Sequence, residues 1–167
     1  QYPSDSISDG LHTFYVKAQD ANGNWSPSEA SFVIKVDSVM PASGTISVNG
    51  GAASTWSPTV TLNSLGAYDA HSGVDQMKFS NDGSNWSGYE TYASSKGIWD
   101  LFAYGGNTNA GSKTVHVRYK DNAGNESAVY SDTIIYSPAP VIVSQPSGRL
   151  GTFIGGQMAL SVTAEGF

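Results

Sequence analysis

The chain has 167 residues, with 14 Asp and Glu against eight Lys and Arg, so it carries a net charge of −6. An acidic surface repels phosphate backbones, which argues against nucleic acid as a partner, and the short apolar runs predict no membrane span. With no cysteine, 19 glycines and 13% charged residues, the composition excludes disulfides and favours short strands with tight turns over a helical bundle.

The first predicted elements are two strands joined by a turn within residues 1–37. Phe14, Val16 and Ala18 alternate with more polar side chains, which places one set toward a core and the other in water. A second strand is predicted over residues 31–36, after the turn. We therefore predict that this segment is the closing hairpin of a β-sandwich.

The same hairpin recurs 101 residues later, because residues 10–26 align with residues 111–127 without a gap. The two turns share their Asp, Gly and Asn, which are Asp20, Gly23 and Asn24 in one copy and Asp121, Gly124 and Asn125 in the other. About 100 residues is the size of one immunoglobulin-like sandwich. Residues 38–137 are therefore predicted to be one complete domain, and residues 1–37 the last strands of a domain before it.

Further strands are predicted at short intervals through the complete domain. They are residues 44–49, 59–63, 75–80, 86–92, 98–104, 111–120 and 132–136. Asp82-Gly83 between two of them is a strong hairpin signal. Alternation predicts that Leu62, Met77, Phe79, Val115, Val117 and Tyr119 point inward. It predicts that Lys78, His116 and Arg118 point outward.

Residues 138–167 are predicted to be a linker and the incomplete start of a third domain. The linker is rich in proline at Pro138 and Pro140, which makes it stiff. The remaining segment has room for about two strands, on the usual length of a strand.

Four motifs carry a family resemblance that covers residues 1–137. They are Val36-Asp37-x-x-x-Pro41, Asp69-x-x-Ser72-Gly73-Val74, Phe79-Ser-Asn-Asp82-Gly83-x-x-Trp86 and Val117-Arg-Tyr-Lys-Asp121-Asn-Ala-Gly124-Asn125. With them the chain resembles the immunoglobulin-like repeats of large bacterial surface and secreted proteins, including giant adhesins and multidomain carbohydrate-active enzymes. Residues 160–166 resemble the second strand of another immunoglobulin-like subtype, with Val162 at its cysteine position.

The resemblance implies an all-β fold of tandem immunoglobulin-like β-sandwiches, one complete and two partial. It also implies an extracellular or cell-surface location and a non-catalytic role as a structural or adhesive spacer. The expected partners are neighbouring immunoglobulin-like domains of the same chain. Surface glycans and other copies of the chain are further candidates.

Calcium is the candidate cation, although no cofactor is required for the fold. The turn from Asp121 to Asn125 gathers hard oxygen ligands, of which Ca²⁺ takes about six to eight. The competing interpretation is a tight turn in which Asp and Asn bond their own backbone. In the adhesin repeats that the chain resembles, calcium lies between domains and uses the linker aspartate. That resemblance makes Asp37 the main candidate ligand, with Asp69, Asp75 and Asp121 on neighbouring elements.

Several aromatic residues between positions 86 and 104 are a candidate sugar-binding site. Trp86, Tyr89 and Trp99 could stack on sugar rings if they form an exposed strip. The competing interpretation is core packing, because a small sandwich without disulfides needs large apolar residues. An exposed strip would favour the alternative that the chain is a carbohydrate-binding accessory module of a polysaccharide-degrading enzyme.

Catalysis is not predicted, and no residue is assigned a catalytic role. No nucleophile, zinc-protease or phosphate-binding motif occurs, and Asp69, His71 and Asp75 are interpreted as an exposed loop. The remaining alternative is a subunit of an extracellular filament or virion assembled by strand exchange. It follows from the unpaired strand edges that two partial domains would expose.

Overall fold

The computed structural model describes residues 7–144 and 163–165, and within them the chain is all-β, as predicted. Twelve strands and no helix are present over these residues. Accordingly, these two segments contain no helix of the length and apolarity needed to cross a membrane.

The chain begins with an antiparallel hairpin of β1 (Gly10–Val16) and β2 (Ala30–Val36). These two strands form a sheet of their own, and no other strand of the described segments pairs with them. Val16, predicted on the core face, is 65% exposed, and Phe32 on the partner strand is 67% exposed. Phe14 on the same face is half-buried, so the predicted alternation produces only partial burial here, and among the described strands no second sheet pairs with or covers the hairpin.

Eight strands follow in the central part of the chain. They are β3 (Ala42–Val48), β4 (Ser54–Thr55), β5 (Thr59–Tyr68), β6 (Val74–Ser80), β7 (Glu90–Thr91), β8 (Lys96–Asp100), β9 (Gly111–Asp121) and β10 (Tyr130–Tyr136). One sheet has the order β3-β5-β8, and the other has the order β4-β10-β9-β6-β7. All neighbours are antiparallel except β4 and β10, which run parallel.

The two sheets share one hydrophobic core, an arrangement consistent with a β-sandwich. Val48 and Val60 come from the three-stranded sheet, and Ile134 comes from the other. All of the predicted inward residues are at most 1% exposed, namely Leu62, Met77, Phe79, Val115, Val117 and Tyr119. The prediction of inward-facing residues is therefore confirmed.

The predicted outward residues Lys78, His116 and Arg118 alternate with these core positions, but they are half-buried instead of free in water. Side chains on the outer face of the sheet cover Lys78 and Arg118, as described below. Two strand lengths also differ from the expected ones. Residues 86–92 pair only at Glu90–Thr91, and the strand expected over 98–104 ends at Asp100.

The last strands are β11 (Val141–Ser144) and β12 (Thr163–Glu165), which pair antiparallel. Most of the motif at 160–166, including Val162, lies outside the described residues.

Candidate cation site at the linker

Asp37 follows β2 directly and lies in the linker that leads to β3. Its side chain is only 1% exposed. The carboxylate accepts hydrogen bonds from the backbone N–H groups of Ser72 and Val39, both at 3.0 Å. Hydrogen bonding from Ser72, and secondarily from Val39, lowers the pKa of Asp37 below its ordinary value. The covered carboxyl group therefore remains ionised at neutral pH.

Two further aspartates each begin a turn next to the linker. Oδ1 of Asp69, at the start of the loop between β5 and β6, accepts the N–H groups of residues 71–73 at 2.8–3.1 Å. Oδ1 of Asp121, at the end of β9, accepts those of residues 123–125 at 2.7–2.9 Å. Both Asp residues thus shape their turns, as the tight-turn interpretation requires.

The three aspartates converge. Carboxylate oxygens of Asp37, Asp69 and Asp121 lie within 4.8 Å of one another. Oδ2 of Asp69 is buried and accepts no hydrogen bond from any described residue. Like charges at this separation repel strongly when they are withdrawn from water, and a cation would neutralise them. Three carboxylates are part of a Ca²⁺ shell of about six to eight oxygens, so carbonyls or water would have to complete it.

Amide side chains fasten the turn after β9 to the linker. Nδ2 of Asn125 donates to the carbonyls of Asp37 (3.2 Å) and Val39 (3.3 Å), and to Oδ2 of Asp121 (2.9 Å). Asn122 donates in the same way to two carbonyls of the loop between β5 and β6. These hydrogen bonds therefore join the linker, the loop and the turn to one another without a cation.

A second acidic group shares Asp37. Asp9, Asp37 and His71 bring ligand atoms within 4.8 Å of one another. Asp9, just before β1, also accepts hydrogen bonds from the backbone and hydroxyl of Ser38. Asp9 was not predicted as a ligand, and the second copy of the repeat has Ala110 at the equivalent position. Asp9 comes close to Asp37 through the tertiary arrangement of the hairpin and the linker.

Asp75, the fourth acidic residue expected near a cation, lies on β6 and joins neither group within the described parts of the chain. The structure therefore brings together three of the four aspartates singled out in the sequence.

The predicted sugar-stacking residue Trp99 is a core residue. It is 4% exposed and lies opposite Val60 in the register between β5 and β8. Its ring contacts Phe79 with a centroid distance of 5.5 Å and stacks on Tyr104 at 5.3 Å. Because both ring faces are inside the protein, Trp99 is not available to a sugar.

Trp86 and Tyr89 lie elsewhere, half-buried on the outer face of β6 and β9. Nζ of Lys78 lies 5.5 Å from the ring centroid of Trp86 and 4.6 Å from that of Tyr89. Nζ of Lys120 lies 3.9 Å from the Tyr89 centroid, and the Arg118 guanidinium lies 5.4 Å from that of Trp86. Trp86 and Tyr89 are thus held by cation–π contacts.

Glu126 lies between these cations. It accepts a hydrogen bond from the Tyr89 hydroxyl, and pairs with Lys78 at 2.9 Å and with Arg118 at 3.0 Å. The Tyr89 hydrogen bond, followed by the two cations, lowers the pKa of Glu126 to about 2. Lys78 faces Arg118 across the two strands, so Glu126 offsets a repulsion between like charges.

No protein-family model matches this chain, and no curated protein matches its sequence. The fold and site define the chain only as an all-β protein with an acidic cluster at its linker. Its function is therefore inferred below from the fold, the acidic cluster at the linker and the cation–aromatic cluster on β6 and β9.

Proposed function

We propose that this chain is a non-catalytic structural or adhesive spacer of an extracellular multidomain protein, built from tandem immunoglobulin-like sandwiches. The strand order supports the sandwich type. β3, β5 and β8 form one sheet, while β6, β9 and β10 lie in the other, as strands A, B, E and C, F, G do in an immunoglobulin-like domain.

The observation that carries the proposal is the fastened linker. A spacer transmits orientation and force only if its joints resist bending. Here Asp37 is covered by the sandwich, and Asn125 ties two linker carbonyls to the turn after β9. In this proposal Ca²⁺ binds among Asp37, Asp69 and Asp121, and it stiffens the same joint by removing their mutual repulsion.

Thermal melts with millimolar calcium and with a chelator test this proposal. A ligand that binds only the folded state stabilises it by about 2.7 kcal/mol at a hundredfold excess over its Kd, so calcium should raise the melting temperature. Asp37→Asn, which keeps the size of the side chain and one acceptor oxygen, should abolish the rise. Asp75→Asn is the matched control and should preserve it. A wild-type chain that melts at the same temperature with and without calcium would remove the ion from the proposal.

A filament subunit is the second candidate, and the exposed hairpin favours it. Val33 is 55% exposed on one face of the hairpin and Phe32 is 67% exposed on the other, so a covering sheet can pack on either face. Neither edge of the hairpin pairs with another described strand, so either edge can accept a further strand. Light scattering over a range of concentrations distinguishes the two functions, because strand exchange between copies increases the mass as the concentration rises.

A further inference from the structure

The outer face of the five-stranded sheet carries a local excess of positive charge. Alternation places Lys78 of β6 and both Arg118 and Lys120 of β9 on the side away from the core. These are three of the chain's eight Lys and Arg residues. Glu126 is the carboxylate that pairs with Lys78 and Arg118, so the four groups carry two net positive charges on a protein whose net charge is −6. Sequence alternation alone does not explain this concentration of cations.

Donor groups on this face are left for a ligand. Lys120 makes no ion pair or hydrogen bond through its Nζ with any described residue, and its Nζ lies over the Tyr89 ring. Arg118 uses Nη1 alone for Glu126, and its side chain is 38% exposed. A ligand that brings a negative charge to this position would pair with both residues without displacing Glu126.

Two aromatic rings flank these donors. Trp86 and Tyr89 are each only half-buried, so part of each side chain is in contact with solvent. Sugar rings stack their C–H groups on aromatic side chains of this kind, and a carboxylate on the same sugar would reach a neighbouring cation. Partly exposed aromatic side chains beside cations, of which Lys120 has no carboxylate partner among the described residues, are therefore suited to a ligand that is both cyclic and acidic.

We propose that Lys120, Arg118, Trp86 and Tyr89 form a binding site for an acidic glycan, with its carboxylate on the cations and its sugar ring against the exposed parts of the two aromatic side chains. The proposal rests on the adhesive part of the proposed function, for which it supplies the ligand class. An acidic peptide is less suited, because it would use the cations but not the exposed parts of the two aromatic side chains.

Calorimetric titration of the full chain with an oligogalacturonate tests the site. A neutral galactose oligomer of matched length and a polyglutamate peptide serve as comparison probes. We expect the oligogalacturonate to bind, with an affinity that falls as salt is added, and the other two to bind at least about tenfold more weakly, a difference readily resolved in Kd.

Lys120→Gln is the informative variant, because the first copy of the repeat has Gln19 at the equivalent position. It should weaken oligogalacturonate binding about fivefold, the contribution of one exposed ion pair. Lys35→Gln removes the same charge from an exposed position on β2 and should change the affinity less than about twofold, because Lys35 lies on the separate β1–β2 sheet and is not part of the proposed site. Melting curves of both variants should match that of the wild type.

Several results would overturn the proposal. Equal binding of the neutral oligomer would show that the cations are not used, and equal binding of polyglutamate would point to an acidic protein partner instead. An equal loss in Lys35→Gln would indicate general charge attraction. Absence of binding would also overturn it, but would leave the proposed spacer function and its calcium site unaffected, because the calcium melts involve no glycan.

Discussion

Tyr119 joins the two sheets through a single atom. Its side chain is fully buried on β9, and its hydroxyl donates to the carbonyl of Thr45 at 2.6 Å. The same oxygen accepts the N–H of Gly66 at 3.1 Å. Burial raises the pKa of Tyr119 far above its ordinary value, so the hydroxyl remains a donor throughout the physiological range.

Tyr119→Phe is predicted to destabilise the fold by about 1–3 kcal/mol, because it leaves a backbone donor and a backbone acceptor without their partner. Urea unfolding followed by tryptophan fluorescence measures the change. Tyr104→Phe is the control, since the Tyr104 hydroxyl makes no hydrogen bond with the described residues and its ring stacking on Trp99 is retained. Equal losses in both variants would contradict the proposed role of the Tyr119 hydroxyl.

Glu126 provides a prediction about pH. Its pKa falls from 4.5 to about 2 on folding, so the stabilisation it provides is present above pH 4.5 and is lost as the pH falls toward 2. Glu126→Gln should therefore flatten the dependence of unfolding free energy on pH within that window. The difference should amount to about 1 kcal/mol, because the partly exposed cluster is screened by solvent. Urea unfolding at several pH values between 2 and 6 provides the measurement, and parallel curves for the two proteins would contradict it.

At the level of elements, the two copies of the hairpin turn share their internal hydrogen bonds but not their surroundings. Oδ2 of Asp20 accepts Nδ2 of Asn24 at 3.0 Å, just as Asp121 accepts Asn125 at 2.9 Å. Only Asn125 also donates to linker carbonyls. Comparing the two turns therefore distinguishes the stabilisation that the Asn side chain provides within its own turn from the stabilisation that it provides by binding the linker.

Asn125→Ala is predicted to lower the melting temperature of the sandwich and to weaken any calcium effect. The free energy of unfolding should fall by about 1–2 kcal/mol, because the hydrogen bonds to the linker are lost. Asn24→Ala removes the matching amide from an exposed turn and should leave the main transition unchanged. Differential scanning calorimetry of both variants measures this, and an equal effect of the two would show that the amide serves only its own turn.

The strands that the sequence predicted best are those with long alternation. β9 alternates over its whole length, so its inward residues could be assigned from the sequence alone. β8 ends at Asp100 instead of 104, because Tyr104 and Gly105 take positive φ and Nδ2 of Asn81 binds the carbonyls of Asp100 and Ala103. Those contacts join residues about 20 positions apart along the chain, so they cannot be predicted from the local sequence pattern.

In the candidate sites, too, some residues could be predicted from local sequence and others depend on tertiary structure. Asp37 could be singled out from its place in the linker motif, and its convergence with Asp69 and Asp121 follows from where β2, β5 and β9 end. Trp99 could not be placed without the register, since a shift of one residue exchanges inward and outward positions. In the structure Ile98 is 76% exposed and Trp99 is buried.

At the level of the whole molecule, the described core is drawn entirely from the central sandwich. Its buried members run from Val48 to Ile134, and the two sheets that supply them lie between residues 42 and 136. The hairpin of β1 and β2 adds no residue to this cluster. Among the described residues, Ser38 of the linker donates two hydrogen bonds to Asp9, just before β1.

A fragment of residues 37–137 is therefore predicted to fold without the rest of the chain. It keeps Asp37, the loop at Asp69 and the turn from Asp121 to Asn125, so it should unfold in one cooperative transition within about 5 °C of the full chain, a shift worth about 1 kcal/mol. Residues 7–36 alone should be unfolded, because an isolated two-stranded hairpin is marginal in water. Circular dichroism of both fragments measures this. A central fragment that fails to fold, or melts far below the full chain, would show that the hairpin is part of the cooperative unit and not an adjoining domain.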